Sequence, residues 1–144
     1  MYQWLAKKLV RRTLRFHLNR DVEGVLSTYA DDVHFTFHGK NSWAGDYYGK
    51  DQIRPWLERF HRIGLNLQVH EILVSGPPWN TTVCLYITDD AKDADGNIVY
   101  ENRGVIYGKA AWGKMKRYEV FEDTEKVAQL DKYLAKHEPA LTGK

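Results

Sequence analysis

Histidine and cysteine side chains are the usual carriers of metal binding and nucleophilic chemistry, and their spacing in this sequence argues against both. His34 and His38 share one face of a predicted strand, but four residues of strand separate them by roughly 13 Å, too far to bind one metal ion. Cys84 has no identified base partner, and a buried thiol is the ordinary interpretation of a lone strand cysteine. No phosphate-binding glycine loop is followed by lysine and serine or threonine.

The acidic stretch around residues 90–96 has the composition of a calcium-binding loop, but not its order. In the register set by Gly96, Ala91 takes the first ligand position and Asn102 takes the closing position that needs a glutamate. We therefore expect a polar hairpin tip here and no metal site.

The composition bounds the class of protein. The chain has 144 residues, 43% hydrophobic and 28% charged, which predicts one folded domain. A net charge of +2 is too small to argue for nucleic acid. No apolar run reaches the length of a membrane span and the N-terminus is too charged for a signal peptide, so we expect no membrane partner. The single cysteine excludes an intrachain disulfide and favours the cytoplasm.

The spacing of apolar residues along the chain predicts the helices and strands that must position any site. Helical spacing predicts helices over 2–19, over a short segment that Asp21 caps, over 51–62 with Gly64 as its stop, and from Asp123 or Thr124 onwards. Alternation and strand-forming residues predict strands over 33–37, 65–75, 79–88, 98–112 and 114–122, with a polar loop over 89–97. Strands joined by short turns form an antiparallel sheet, and helices gathered on one face make the fold α+β.

Two stretches resemble a known superfamily. They are Asp21 to Arg62, with Tyr29-Ala30-Asp31-Asp32 and Gly45…Gly49-x-x-x-Ile53, and the ending Trp112-Gly113-Lys114 with Tyr118 to Thr124. Both resemble nuclear transport factor 2-like (NTF2-like) proteins of the SnoaL-like and ketosteroid isomerase-like branch. The resemblance implies one domain over 1–144. Its curved antiparallel (mixed) sheet would form a cone, closed by three N-terminal helices, with a further C-terminal helix.

The resemblance also tests the family's chemistry against this chain. Ketosteroid isomerases need a carboxylate base and two donors on the oxygen that gains charge. The base position falls on Phe37, the oxyanion tyrosine near Thr13, a supporting tyrosine on Leu57 and the donor acid within 105–107. None of these residues can play the family's role, so the isomerase mechanism is not matched.

Epoxide hydrolases of the same superfamily use two aspartates and an arginine to activate water. One aspartate position falls on Glu122, which keeps the charge, while the arginine and the second aspartate fall near Tyr86 and Thr88. Arg103 is the remaining candidate for the positive charge. Glu122 is thus the one catalytic candidate, with a pKa that burial would raise; the alternative is a solvated rim residue beside the last helix.

The same alignment of the family's positions predicts which side chains face the interior of the cone. The candidate ligand-binding residues are Phe35, Phe37, Trp56, Phe60, Tyr118 and Val120, which this alignment places around the pocket, and Tyr86, Arg103 and Tyr107, whose polar groups would orient a substrate.

Two functions remain open. One is a cofactor-free acid–base enzyme of isomerase, cyclase or hydrolase type, acting on a small apolar or aromatic molecule. The other is a non-catalytic ligand-binding or dimerisation module. Either is compatible with a homodimer through the outer sheet face, near His34, Thr36, Glu119 and Phe121.

Overall fold

The computed structural model describes residues 2–141. The helices are α1 (Tyr2–Leu18), α2 (Val22–Ser27), α3 (Lys50–Ile63) and α4 (Thr124–Leu141). The strands are β1 (Tyr29–Phe37), β2 (Gly45–Tyr48), β3 (Asn66–Ser75), β4 (Thr81–Lys92), β5 (Ile98–Ala111) and β6 (Lys114–Glu122).

Local sequence signals set the helix ends. The Asp21 side chain accepts a hydrogen bond from the Gly24 backbone N–H at 2.9 Å and so caps α2, as predicted. Asp123 Oδ1 accepts from the backbone N–H of Glu125 at 3.1 Å at the start of α4. Gly64 ends α3 with φ +81°, a conformation that glycine adopts without strain.

All six strands form one sheet in the order β2-β1-β6-β5-β4-β3. Every pair is antiparallel except β1 with β6, which run parallel. The sheet is therefore mixed, curved and not closed, and the helices pack against it. This confirms the α+β cone fold of NTF2-like proteins that the sequence predicted.

Three differences from the predictions exceed two residues, and each has a pairing partner as its cause. β1 begins at Tyr29 instead of Val33, because Tyr29 pairs with Met115 across a register shift. Between β1 and α3, where no strand was predicted, the chain forms β2, an edge strand of four residues. β4 continues to Lys92, because Asp89 pairs with Asn102 on β5. The predicted polar loop over 89–97 is thus shortened to the tip of the hairpin.

The main core fills the space between the concave sheet face and the helices. Side chains from α2, α3 and α4 meet those of β1 and β6, and each is at most 8% exposed. Typical members are Leu26, Phe35, Leu57, Val120 and Leu130. Within residues 2–141, no helix is long and apolar enough to span a membrane.

Candidate active site

A cavity of about 180 Å³ lies between the concave face of the sheet and the helices. Most of its lining is apolar: Val83, Leu85 and Ile87 project from β4, while Trp56 and Phe60 come from α3. Four lining residues are exposed and therefore mark its mouth, between α1, the end of α2 and the β5–β6 turn. They are Arg12, Ser27, Gly113 and Lys114.

The closed end of the cavity carries two carboxyl groups. Asp89 follows Val83, Leu85 and Ile87 at period two along β4 and so faces the same way. It is only 6% exposed. Glu122, the last residue of β6, lines the same end and hydrogen-bonds with Asp89. Asp89 Oδ1 itself has no hydrogen-bond partner within the described residues, so one buried carboxyl oxygen faces the site unsatisfied.

A tyrosine and an asparagine hold Glu122 in place. The Tyr100 hydroxyl donates to Glu122 Oε2 at 3.2 Å, and Asn102 Nδ2 donates to the Tyr100 oxygen at 2.9 Å. Asn102 also donates to the Asp123 carbonyl at 3.0 Å. The acid pair is therefore anchored to the start of α4 and to β5 at once.

Burial and mutual charge separate the pKa values of the two carboxyls. Burial raises the pKa of Glu122 to about 9, and the charge of Asp89 adds to the rise. Burial raises the pKa of Asp89 to about 6, while the hydrogen bond from Glu122 works in the opposite direction. Between these pH values the pair holds a single proton, and the two carboxyls titrate as one unit. A proton donor and a proton acceptor thus stand side by side.

Stacked aromatic rings form another part of the cavity wall. Phe35 stacks on Tyr118 with ring centroids 4.4 Å apart and meets Trp56 edge-on at 4.8 Å. Burial raises the pKa of Tyr29 to about 12, and its hydroxyl hydrogen-bonds with that of Tyr118. This bond occupies the polar end of Tyr118, so the wall presents mainly ring faces.

The structure divides the predicted ligand-binding residues by the face of the sheet. Seven of the ten predicted site residues line the cavity: Phe35, Phe37, Trp56, Phe60, Tyr118, Val120 and Glu122.

The other three, Tyr86, Arg103 and Tyr107, are exposed and point out from the convex face, which corrects their prediction. The physical reason is strand alternation: Leu85 and Ile106 take the inward positions beside them. Arg103 therefore supplies no positive charge to the cavity.

Sequence reasoning missed Asp89, Tyr100 and Asn102. The acidic residues that follow Asp89 favour a loop at that position. The comparison with epoxide hydrolases places their second aspartate one residue earlier, at Thr88. The signal was present: Val83, Leu85, Ile87 and Asp89 continue one alternation, which a buried strand explains better than a loop.

Comparison with known proteins identifies the family. The SnoaL-like domain model matches residues 10–118, well over half of the chain. No curated protein matches the sequence.

Solved structures show the same fold. An NTF2-like protein of unknown function from Burkholderia pseudomallei superposes with a TM-score of 0.74 at 20% identity, covering 88% of this chain and 96% of that one. TerC, co-crystallised with polyporic acid, gives 0.70 at 22%, covering 85% and 97%. A Mycobacterium tuberculosis protein in complex with estradiol-17β-hemisuccinate gives 0.68 at 19%, covering 84% and 95%.

With a six-stranded cone, a cavity on its concave side and a family model that spans most of its strands, this chain belongs to the SnoaL-like family, in the ketosteroid isomerase-like branch of the NTF2-like superfamily.

Proposed function

We propose that this protein is a cofactor-free acid–base enzyme of isomerase, cyclase or hydrolase type, acting on a small apolar or aromatic molecule. The observation that carries the proposal is the pair of carboxyl groups, Asp89 and Glu122, at the closed end of an apolar cavity, where Asp89 is only 6% exposed. Paired carboxyls whose surroundings push their pKa values apart provide an acid and a base at one pH.

The roles follow from the protonation states. Asp89 is ionised near neutral pH and accepts a proton from a substrate C–H or from a water molecule at its unpartnered Oδ1. Glu122 is protonated and donates to a substrate oxygen. Tyr100 orients Glu122, and burial keeps the pKa of its phenol above the ordinary value, so the hydroxyl remains a donor.

The size of the cavity selects the substrate. An engineered apolar cavity of about 150 Å³ admits benzene, so a cavity of about 180 Å³ suits a molecule of one or two rings. The stacked wall of Phe35, Tyr118 and Trp56 favours a flat ring. Two neighbours of the same fold hold small organic molecules, which supports a ligand in this position.

The alternative, a non-catalytic binding module, is favoured by a single observation. By the family resemblance, Phe37 occupies the position of the base in the isomerases. Its ring packs near that of Trp56 inside the cavity, with centroids 5.8 Å apart. In that case the acid pair would only recognise a polar group of the ligand.

The proposal takes residues 1–144 as one SnoaL-like domain in the cytoplasm, where the free thiol of Cys84 is compatible with reducing conditions. It also includes a homodimer through the outer sheet face. Neighbouring strands place exposed apolar side chains side by side there: Phe121, Val105, Tyr86 and Tyr107 are 36–46% exposed. A second copy would cover this patch.

Ligand binding is tested first, by thermal shift with a panel of one-, two- and four-ring compounds. A ligand that binds only the folded state raises the melting temperature. We expect the one- and two-ring compounds to act and Phe37→Trp, which fills the cavity, to abolish the shift. A shift that survives the filled cavity would place binding elsewhere and overturn the choice of site.

Chemistry is tested by incubating each binding compound in D₂O and measuring deuterium incorporation and hydration by mass spectrometry. We expect Asp89→Asn and Glu122→Gln each to lower turnover by about 10²–10⁴-fold, and Glu101→Gln, an exposed neighbour, to leave it unchanged. The rate should rise through about pH 6 as Asp89 ionises and fall through about pH 9 as Glu122 loses its proton. Turnover that is indifferent to both variants would refute acid–base catalysis by the pair.

A further inference from the structure

The mouth of the cavity lies at one end of the molecule, opposite the β4–β5 hairpin. Gly113 and Lys114 border it on the β5–β6 turn, and Arg12 borders it on α1. The hairpin tip lies beyond the far end of β4, eleven residues of strand or ~36 Å from Thr81. The end of the molecule that carries the mouth is therefore a separate surface from the acidic β4–β5 hairpin.

Exposed tryptophans are gathered at the mouth end. Trp112, next to Gly113, is 72% exposed, and Trp79 on the β3–β4 turn is 62% exposed. Their rings lie 6.1 Å apart, and the Trp112 N–H donates to the Pro78 carbonyl at 2.8 Å. Trp4 on α1 is 64% exposed, and Tyr2 ties its end of the helix to Thr81 by a hydrogen bond. Three of the five tryptophans therefore face solvent at this end of the molecule.

Charge is segregated along the same axis. Asp31 and Asp32 lie just beyond the end of α2, and Asp32 contacts Lys116 at 2.8 Å. Three segments at the mouth end, 2–18, 76–82 and 108–118, contain no aspartate or glutamate. Their cations on α1 and around the β5–β6 turn include Lys7, Lys8, Arg11, Arg12, Arg15, Lys109 and Lys114. The hairpin end instead carries Asp90, Asp93, Asp95 and Glu101. The net charge of +2 conceals this separation.

We propose that the mouth end binds the surface of an anionic lipid bilayer, so that apolar ligands enter the cavity directly from the lipid. Tryptophan prefers the membrane–water interface, and clustered lysine and arginine are attracted to anionic headgroups. A bilayer explains the rings, the cations and an apolar mouth between them. A nucleic-acid strand would explain the rings and cations, but it leaves the mouth without a role.

This surface revises the expectation that the chain has no membrane partner. That expectation rests on the absence of an apolar run long enough to span a membrane, whereas an interfacial contact depends on exposed rings and on how charge is distributed. The proposal does not depend on catalysis, because binding to vesicles is measured without ligand.

The test is co-sedimentation with large vesicles of phosphatidylcholine alone or with roughly 30% phosphatidylglycerol at low salt. We expect binding to the anionic vesicles to be at least about tenfold stronger, to weaken in high salt, and to shift the tryptophan emission to the blue. Binding that is absent from anionic vesicles, or equal on both, would overturn the proposal.

Charge-reversal variants locate the surface. Lys8→Glu with Arg11→Glu removes two exposed cations of α1 outside the cavity, and we expect at least about a tenfold loss of vesicle binding. Lys92→Glu with Arg103→Glu makes the same net change away from the mouth end and should change binding less than about twofold. Trp79→Ser with Trp112→Asn should reduce the blue shift, because only Trp4 then remains at this surface. Circular dichroism verifies the fold of each variant.

A single-stranded oligonucleotide provides the competing outcome. If it binds more tightly than the anionic vesicles and loses affinity with Lys8→Glu and Arg11→Glu, the basic end serves nucleic acid and the lipid assignment is wrong. Equal losses in the α1 variant and its control would show that only overall charge matters, which also contradicts a defined surface.

Discussion

Glu122 is held in surroundings that oppose its ionised form. Burial, the neighbouring charge of Asp89 and their shared hydrogen bond all favour the protonated carboxyl. In the unfolded chain the same group has its ordinary pKa of 4.5. The folded protein therefore binds more protons than the unfolded chain between pH 4.5 and about 9. As a result, the contribution of this group to stability is present at low pH and is lost as pH rises through that interval.

Glu122→Gln should remove this pH dependence. The amide keeps the size of the side chain and an oxygen that can accept from Tyr100, but it cannot ionise. We expect the difference in free energy of unfolding, variant minus wild type, to increase by about 1–3 kcal/mol from pH 5 to pH 8. Denaturant titrations at several pH values measure the difference.

Glu101→Gln is the matched control, because Glu101 is an exposed carboxylate on β5. Its stability curve should run parallel to that of the wild type. If Glu122→Gln also runs parallel, the pKa of Glu122 in the folded protein is ordinary and the shared proton does not exist.

At the scale of single residues, the sequence and the family resemblance together identified Glu122 as a candidate but did not identify Asp89. A carboxylate that ends a strand before a helix can be aligned with relatives, because the helix cap after it marks the register. Asp89 lies where an acidic hairpin begins, and acidic residues are ordinarily exposed to solvent. Only its pairing with Asn102, a contact between distant residues, shows that the strand continues and that the carboxyl is buried.

Among the elements, β5 and β6 pair at Gly104 with no room for a side chain on β5. A Cβ added there would lie 2.1 Å from the Phe121 carbonyl oxygen and 2.8 Å from Glu122 Cγ. The missing side chain thus lets the two strands pair beside the acid pair. The spacing of β5 and β6 at the closed end of the cavity depends on it.

Gly104→Ala should destabilise the protein by about 2–3 kcal/mol, because the contact is with backbone that cannot move aside. Gly96→Ala at the hairpin tip is the comparison: nothing lies within 4 Å, and only its positive φ of +84° adds strain. We expect a loss of about 1 kcal/mol there. Thermal and urea unfolding measure both, and equal losses would contradict the role of crowding at Gly104.

The elements themselves were largely predictable where periodicity and caps coincide. Asp21, Gly64 and Asp123 mark helix ends by their own chemistry, so α2, α3 and α4 begin or end close to the predictions. β2 could not be found in this way. Its four residues are too few to show alternation, and it exists because His34 to Phe37 of β1 offers it a pairing edge.

For the whole molecule, the outer sheet face combines a polar network with the exposed apolar patch. Asp46 accepts from Thr36 at 2.7 Å and contacts His34 at 2.8 Å, and Arg117 binds His34 from the other side. These fixed polar groups border the patch of Phe121, Val105, Tyr86 and Tyr107. A face of this kind suits self-association, because each copy supplies both parts of the contact.

Light scattering should therefore give twice the chain mass of 16.8 kDa at micromolar concentration. Tyr86→Lys with Tyr107→Lys places charges in the patch and should yield monomers. Leu5→Lys with Leu18→Lys makes the same change in charge at two exposed apolar residues of α1, on the other side of the sheet, and should leave the dimer intact. A wild-type monomer at high concentration would refute the dimer.

The parallel pairing of β1 with β6 has a consequence for the order in which the protein is made. Phe37 and Val120 are neighbours in the sheet, yet more than eighty residues of chain lie between them. During synthesis β1 must wait until β6 has left the ribosome, and β6 carries Glu122, one half of the acid pair. The cavity thus forms only when nearly the whole chain is available. A bound ligand should accordingly slow hydrogen exchange in both β1 and β6, since neither can open without dismantling the cavity.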